Sequence, residues 1–228
     1  MATRDQSKIQ EDLVSLYLRL NGFFVSPFLV HSSVHGRNKT ELDALALRLP
    51  FNSEPERQIG PDPLLDLSSN FIELLLCEVK SNGQQLRFNE ALTEDPGAIA
   101  TAIRWSGLFD ESETTYVSNE LALAFKKTPG ELDRPVTVEG PRGTRVRAMI
   151  FSPERSTRRT NQLWFVHGQQ LMNYIWKCLA PLVPRSSCAT TYDLQLWGRH
   201  EPIVRYFKQV GSNGPGTIKA LYEFTGVS

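Results

Sequence analysis

The sequence predicts an α/β protein in which helices flank a mixed β-sheet. Segments of helical periodicity alternate with short runs rich in β-branched and aromatic residues, in the order α-β-β-β-α-β-β-α with strands clustered first. A chain of 228 residues that is 40% hydrophobic and 22% charged can bury one such core. We therefore expect one domain over 1–180 and a C-terminal extension, 181–228, packed on that domain.

The chain is predicted to begin with a helix and a strand. Apolar residues recur at helical spacing over 7–20, with Ser7 as a candidate N-cap and Asn21 and Gly22 as the stop. The aromatic and β-branched stretch 23–30 then indicates a strand.

The next strand is predicted over 41–49 (ELDALALRL), after a polar and basic turn. Its residues alternate strictly, so Leu42 and Ala44 are expected on one face and Asp43 and Leu45 on the other. This alternation is typical of a strand with two different environments.

A proline-rich insertion, 50–70, is predicted to precede the most apolar strand, 71–80 (FIELLLCEVK). A continuous apolar run that ends in charged residues indicates a strand buried on both faces whose last residues emerge at the sheet end. Functional sites in open α/β sheets lie at such ends.

The second half is predicted to contain three or four helices and two strands. The helices are expected from Asp95 and Pro96 to Gly107, with an optional one over 118–126, and then over 169–179 and 201–208; the strands are expected over 145–151 and 163–166.

Two carboxylates and a lysine form the candidate chemical site. Glu78 and Lys80 are two apart and share one face of their strand, and Asp43 lies in the preceding strand, so pairing of these strands would bring all three together. Asp43 and Glu78, with the Val79 carbonyl, offer the oxygen ligands that Mg²⁺ or Mn²⁺ accepts, and Lys80 can position water or stabilise charge on a phosphate. The pattern predicts metal-assisted hydrolysis of a phosphodiester.

Two further carboxylates are candidates for the same site. Glu11 lies on the first helix, and Glu41 is expected on the same face as Asp43 because it is two residues earlier. Glu41 either joins the metal ligands or lies at the solvated rim.

The order of Glu11, ELD at 41–43 and CEVK at 77–80 resembles the restriction-endonuclease-like PD-(D/E)XK superfamily, especially its Mrr-type and resolvase-like branches. The resemblance implies an αβββαβ core and a Mg²⁺-dependent nuclease, with DNA as the expected nucleic acid. It assigns Asp43, Glu78 and Lys80 to the motif and Glu11 to the glutamate of the first helix. The segment LWFVHGQQLMNYI is also similar to Mrr-like domains, but Gln84 and Gln85 fall too early to match the glutamine of their second helix.

The net charge is zero, so a nucleic-acid partner needs a local basic surface, for which Arg155, Arg158 and Arg159 are candidates. Two alternatives to the nuclease remain open. One is a catalytically inactive nuclease-fold module that binds nucleic acid or a protein, and the other is a generic α/β interaction domain.

The expected setting is the cytoplasm, without a membrane partner. An odd number of cysteines without a CxxC pair, and no apolar run of membrane length, favour this interpretation. The unexplained C-terminal region is a candidate surface for a homo-oligomer.

Overall fold

The computed structural model describes residues 3–31, 38–54, 59–126, 134–156, 164–180 and 194–227. In this part of the chain, one six-stranded mixed sheet has the order β1-β2-β3-β5-β4, with the short β6 also paired to β5. The pairs β3–β5 and β5–β6 are parallel, and the other pairs are antiparallel. The strands are β1 Phe24–His31, β2 Asn38–Arg48, β3 Ile72–Val79, β4 Val136–Gly140, β5 Thr144–Ser152 and β6 Val166–His167.

Helices cover both faces of this sheet, which confirms the predicted class. One apolar cluster joins α1, α5, α6 and α7 to one face, and a second joins α2, α3 and α4 to the other. The helices are α1 Arg4–Leu20, α2 Glu90–Glu94, α3 Pro96–Trp105, α4 Glu111–Phe125, α5 Gly168–Leu179, α6 Glu201–Val210 and α7 Ile218–Thr225. No helix of the described ranges is long and apolar enough to cross a membrane.

The first helix begins one turn earlier than predicted. Thr3, not Ser7, is its N-cap: the Thr3 hydroxyl accepts from the Gln6 N–H at 3.3 Å, and the Gln6 carboxamide accepts from the Thr3 N–H at 2.9 Å. This reciprocal capping box satisfies two exposed donors at once, which a single serine cap would not do. Ser7 therefore lies inside the helix.

Two other helices confirm and correct the sequence interpretation. Helix α3 begins at Pro96 with Asp95 as its N-cap, as predicted. Helix α4 begins at Glu111 instead of 118, because Asp110 and Glu113 form another capping box. The sequence analysis did not predict β4, α2 and α7, and β6 is a two-residue strand that lies later than the predicted 163–166.

The pairing of β1 with β2 contains a β-bulge that the sequence did not reveal. Ser26 pairs with Leu45 and Phe28 pairs with Leu42, so Pro27 alone faces two residues of β2. A proline has no N–H to donate, and strands tolerate it at edges and bulges. The bulge lies at Asp43 and Ala44.

The bulge breaks the strict alternation predicted for β2. Leu42 packs in the same apolar cluster as Leu45, whereas Ala44 belongs to the opposite cluster. With unbroken alternation, Leu42 would share the face of Ala44. The extra residue lets Asp43 reach the sheet end beside α1 while Leu45 stays in the core.

The far end of β3 carries a buried ion cluster. The Glu73 side chain is fully buried and pairs with Arg145 and with Arg147 at 3.1 Å, both from the parallel strand β5. Arg147 also donates to the Leu65 carbonyl at 2.6 Å, which fixes the end of the 50–70 insertion. Burial lowers the pKa of Arg147, and the charge of Glu73 opposes that shift.

The C-terminal helices belong to the same core as α1. Val204 and Phe207 of α6 and Leu221 of α7 are fully buried in the cluster that contains Leu13 and Ile175. The apolar residues of the extension therefore cover the outer surface of α1 and α5.

Candidate functional site

The candidate site is a cavity of about 200 Å³ where the end of β3 meets the middle of β2 and the first turns of α1. Its lining includes all six residues that the sequence assigned to the site, namely Glu11, Glu41, Asp43, Glu78, Val79 and Lys80. The antiparallel register pairs Ala44 with Cys77, so Asp43 and Glu78 are the next residues outward. Strand pairing therefore brings the two predicted motifs together, as the sequence analysis expected.

Lys80 is held rigidly at the end of β3. Its Nζ lies 2.6 Å from Glu78 Oε2, which confirms that the two side chains share a face. Its backbone N–H donates to the Phe151 carbonyl at 2.8 Å, continuing the parallel ladder with β5 by one residue. The position of the ammonium group thus follows from strand pairing and from one ion pair.

Asp43 is positioned by the backbone of β3. Its Oδ2 accepts a hydrogen bond from the Val79 N–H at 2.6 Å. Burial raises the pKa of Asp43, and Glu41 raises it further, while the Val79 N–H and the charge of Lys80 oppose the shift. Among the residues that the structure describes, no hydrogen bond reaches the second carboxylate oxygen, Oδ1, so this oxygen is the candidate for binding a ligand.

Glu78 is almost fully buried, and its Oε1 meets no hydrogen-bond donor of normal geometry among the described residues. Burial raises the pKa of this carboxyl, and the Lys80 ammonium opposes the shift most strongly. The backbone N–H of Asn89 also lowers the pKa of Glu78, and its effect is the smallest of these. A buried carboxylate oxygen without a good donor is costly unless a cation or a proton satisfies it.

Glu11 adds negative charge from α1. Its pKa is raised to about 7, first by partial burial and then by the charges of Asp43, Asp12 and Glu41, although its side chain remains partly open to solvent. Several carboxylates thus oppose one another's ionisation around one cavity. Such mutual repulsion is relieved by a bound cation.

Replacing Glu11 by glutamine should change how stability depends on pH. A carboxyl whose folded-state pKa is raised from 4.5 to about 7 stabilises the fold below 4.5, and that stabilisation is lost as pH rises to 7. In a chelator, the E11Q variant should therefore match the wild type near pH 4 and exceed it in stability at pH 8. Urea unfolding at both pH values measures the difference. Equal stabilities at pH 8 would mean that Glu11 lies outside the repulsive cluster.

The atoms of the cavity that can ligate a metal are carboxylate and peptide oxygens, which suit a hard divalent cation such as Mg²⁺ or Mn²⁺. Within the described ranges, no three His, Cys, Asp or Glu side chains are already gathered as a complete metal site. Asp43 Oδ2 is bound to the Val79 N–H and Glu78 Oε2 to the Lys80 ammonium group. The ligands that fit are the remaining oxygens of Asp43 and Glu78, with peptide oxygens and water completing the set, as Mg²⁺ commonly requires.

Four residues line the cavity that sequence reasoning had not placed there: Ser7, Ser81, Gln84 and Asn89. Gln84 precedes the second helix, so its position in the sequence gives no match to the helix glutamine of Mrr-like domains. Its carboxamide oxygen accepts from the Ser81 N–H at 2.7 Å, so a tight turn after Lys80 carries it back to the site. The dipeptide Asn82-Gly83 is the only local signal for that turn, and Gly83 has φ +90°.

A second cavity of about 330 Å³ adjoins the first and shares Lys80, Gln84 and Asn89 with it. Arg87 lines this second cavity and pairs with Glu90 at 2.6 Å. The acidic cavity therefore adjoins a groove lined by polar side chains and by Phe88, in which the Arg87 guanidinium is paired with Glu90.

The predicted basic residues are only partly accounted for. Arg155 lies beside the site, but its guanidinium donates to the Gln84 carbonyl at 2.7 Å and so holds the turn after Lys80. Arg158 and Arg159 lie outside the described residues. A phosphate-binding role for these three arginines remains a prediction.

Comparisons of the chain with family models, with curated proteins and with solved structures give no match. The interpretation of the site therefore rests on its own residues and geometry.

Proposed function

We propose that this protein is a divalent-metal-dependent nuclease that hydrolyses phosphodiester bonds, with DNA as its substrate. The observation that carries the proposal is the convergence of Asp43, Glu78 and Lys80 on one small cavity at the end of the sheet. We assign the αβββ part of the fold and its site to the restriction-endonuclease-like type, which the motif order suggests. Mg²⁺ or Mn²⁺ is the proposed metal.

The acidic residues would hold the cation. Asp43 Oδ1 and Glu78 Oε1 are the candidate ligands, because the other oxygen of each carboxylate is already bound to Val79 or Lys80. The Val79 carbonyl is a further candidate, and Glu11 lies near enough for its charge to act on the same cluster. A bound cation supplies the Lewis acidity that makes water a nucleophile at neutral pH and offsets charge on the phosphate.

Lys80 would stabilise the negative charge that builds on the phosphate during attack. Glu78 holds the ammonium group 2.6 Å from one carboxylate oxygen, so its position is fixed before substrate binds. An ammonium group held in place in this way needs little reorganisation as the reaction proceeds, and such preorganised charge is a large source of rate enhancement. Glu41, exposed at the cavity rim, would orient water or tune the charge of Asp43.

The groove beside Lys80 is the proposed path of the substrate strand. A strand whose scissile phosphate lies at Lys80 would continue along Gln84 and Arg87, where amide groups and one guanidinium face the cavity. The acidic residues next to it would repel a polyanion in the absence of a cation. Substrate binding at this site is therefore expected to require the metal.

Asp43→Asn is the variant that tests the proposal. The asparagine oxygen can still accept from the Val79 N–H, so the fold should survive while one anionic ligand is lost. Millimolar Mg²⁺ or Mn²⁺ should raise the melting temperature of the wild type and barely change that of D43N. Cleavage of single-stranded, double-stranded and branched DNA, with RNA for comparison, should require the metal and fall at least 100-fold in D43N.

Glu139→Gln is the matched control, because this carboxylate lies exposed on β4, away from the site. It should leave both the metal-induced shift and the cleavage at wild-type values. Metal-dependent stabilisation with nucleic-acid binding but no cleavage would identify a catalytically inactive module. Cleavage that survives in D43N would overturn the assignment of the site.

A further inference from the structure

The segment that follows Lys80, residues 81–85, is here called the lysine loop, and β5 holds its beginning. The Ser152 hydroxyl, fully buried at the end of β5, donates to the Lys80 carbonyl at 2.6 Å. On the other side of the same residue, the Lys80 N–H donates to Phe151. The backbone of Lys80 is thus bound to β5 through both of its polar groups.

The turn that follows β5 holds the rest of the lysine loop. Glu154 Oε2 accepts from the Asn82 N–H at 2.6 Å, and Arg155 donates to the Gln84 carbonyl at 2.7 Å. The loop itself is closed by the bond from Ser81 to the Gln84 side chain. Both cavities of the site depend on this arrangement, because Gln84 lines each of them.

Helix α5 fixes the position of the turn that follows β5. A Cβ added to Gly168 would lie 1.8 Å from the Pro153 carbonyl oxygen, so only glycine allows the helix to approach so closely. The Gly168 N–H donates to the Arg155 carbonyl at 2.8 Å. Residues 152–155 are therefore fixed between β5 and the start of α5.

The C-terminal helix α7 contacts the turn after β5 through Glu154. Tyr222 on α7 is 7% exposed, and its hydroxyl donates to Glu154 Oε1 at 3.1 Å. The Glu154 carboxylate therefore links α7 on one side to the Asn82 N–H on the other. Because the link uses both oxygens of one carboxylate, loss of either partner leaves Glu154 freer to rotate into solvent.

We propose that Tyr222 and Glu154 are positioning residues that hold the lysine loop and thereby fix Lys80 and Gln84 for reaction. The C-terminal helix then contributes to catalysis without contacting the substrate. The catalytic part of this inference rests on the proposed nuclease function, whereas the mechanical link between α7 and the loop does not. A displacement of about 1 Å at a catalytic group can cost about 100-fold in rate, so a looser contact of this kind should be measurable.

Tyr222→Phe removes only the hydroxyl and keeps the ring in the core. Hydrogen exchange of residues 81–85 should become at least threefold faster in Y222F, while exchange in β3 stays unchanged. For DNA cleavage, kcat should fall about tenfold and KM should change less, because Arg87, Phe88 and Glu90 of the groove lie outside the loop. Glu154→Ala should have the larger effect on both measurements, and Glu154→Gln, which keeps one acceptor oxygen, should recover part of it.

Tyr206→Phe is the matched control. Tyr206 is buried in the same C-terminal layer, and its hydroxyl donates to the Thr217 carbonyl at 3.5 Å. In the described part of the chain, this hydroxyl makes no hydrogen bond to the lysine loop. It should leave both exchange in 81–85 and kcat at wild-type values. Unchanged exchange in Y222F, or an equal change in Y206F, would overturn the proposal.

The two readouts separate this inference from the nuclease proposal. If even the wild type cleaves no substrate, faster exchange in Y222F alone still supports the link from α7 to the loop. If the wild type cleaves and Y222F shows faster exchange with an unchanged kcat, the link exists but does not position Lys80, and the catalytic role of Tyr222 and Glu154 is overturned.

Discussion

Replacing Lys80 by methionine should lower kcat for DNA cleavage by about 100- to 1000-fold while the protein stays folded and still binds the divalent cation. The methionine keeps much of the side-chain volume but loses the positive charge that we propose to face the phosphate, and removal of one preorganised charge-stabilising group costs about this much. The carboxylates of Asp43 and Glu78 remain in place, so the metal-induced rise in melting temperature should persist. Single-turnover cleavage and a thermal shift on the same preparation measure both effects.

Lys219→Met is the control for this change. Lys219 also pairs with a glutamate, Glu223 at 3.9 Å, but its side chain is 85% exposed on α7. Its loss should alter neither cleavage nor metal binding. If K80M retained wild-type kcat, Lys80 would be only the structural partner of Glu78, and the proposed mechanism would be wrong.

Replacing Glu73 by glutamine should cost about 3–5 kcal/mol in the free energy of unfolding, which is the usual effect of removing one partner from a buried ion pair. Glu73 compensates the charge of Arg147, which is itself 4% exposed, and also pairs with Arg145. The isosteric glutamine preserves the packing, so the loss reports the charge. Urea unfolding of the wild type and of E73Q gives the difference directly.

The surface pair between Arg104 and Glu111 provides the comparison, because the Glu111 side chain is 73% exposed. Glu111→Gln should leave stability unchanged within error, since exposed ion pairs contribute little. A small effect of E73Q would mean that water reaches the cluster and that the far end of β3 is not fixed by these charges.

The parts of the fold that the sequence predicted are those with strong local signals. The apolar run of β3 ends in charge at its sheet end, and Asp95 with Pro96 marks the start of α3, so both could be located from neighbouring residues alone. The proximity of Asp43 to Glu78 followed from the pairing of consecutive strands, and the shared face of Glu78 and Lys80 followed from the period of two in strands. The side of the sheet on which Asp43 lies depends on the bulge instead.

The parts that could not be predicted depend on contacts between distant residues. The β-bulge opposite Pro27 is a property of two paired strands, and β4 is a short strand whose stability comes from pairing with β5. Gln84 precedes the second helix, and it lines the site because the turn after Lys80 brings its side chain back there. Glu154 and Tyr222 are separated from the lysine loop by much of the sequence, and neither belongs to a motif.

The β-bulge in β2 gives two neighbouring stretches of the chain very different tolerance to changes in length. Deleting one residue between 41 and 44 would restore an unbroken alternation, so either Asp43 or the core residue Leu45 would end on the wrong face. Adding a residue to the exposed part of the loop at 51–54 alters the closure of a surface segment, at a cost that grows slowly with length. Among homologues, we therefore expect gaps and insertions to accumulate in that loop and to be excluded from the four residues around the bulge.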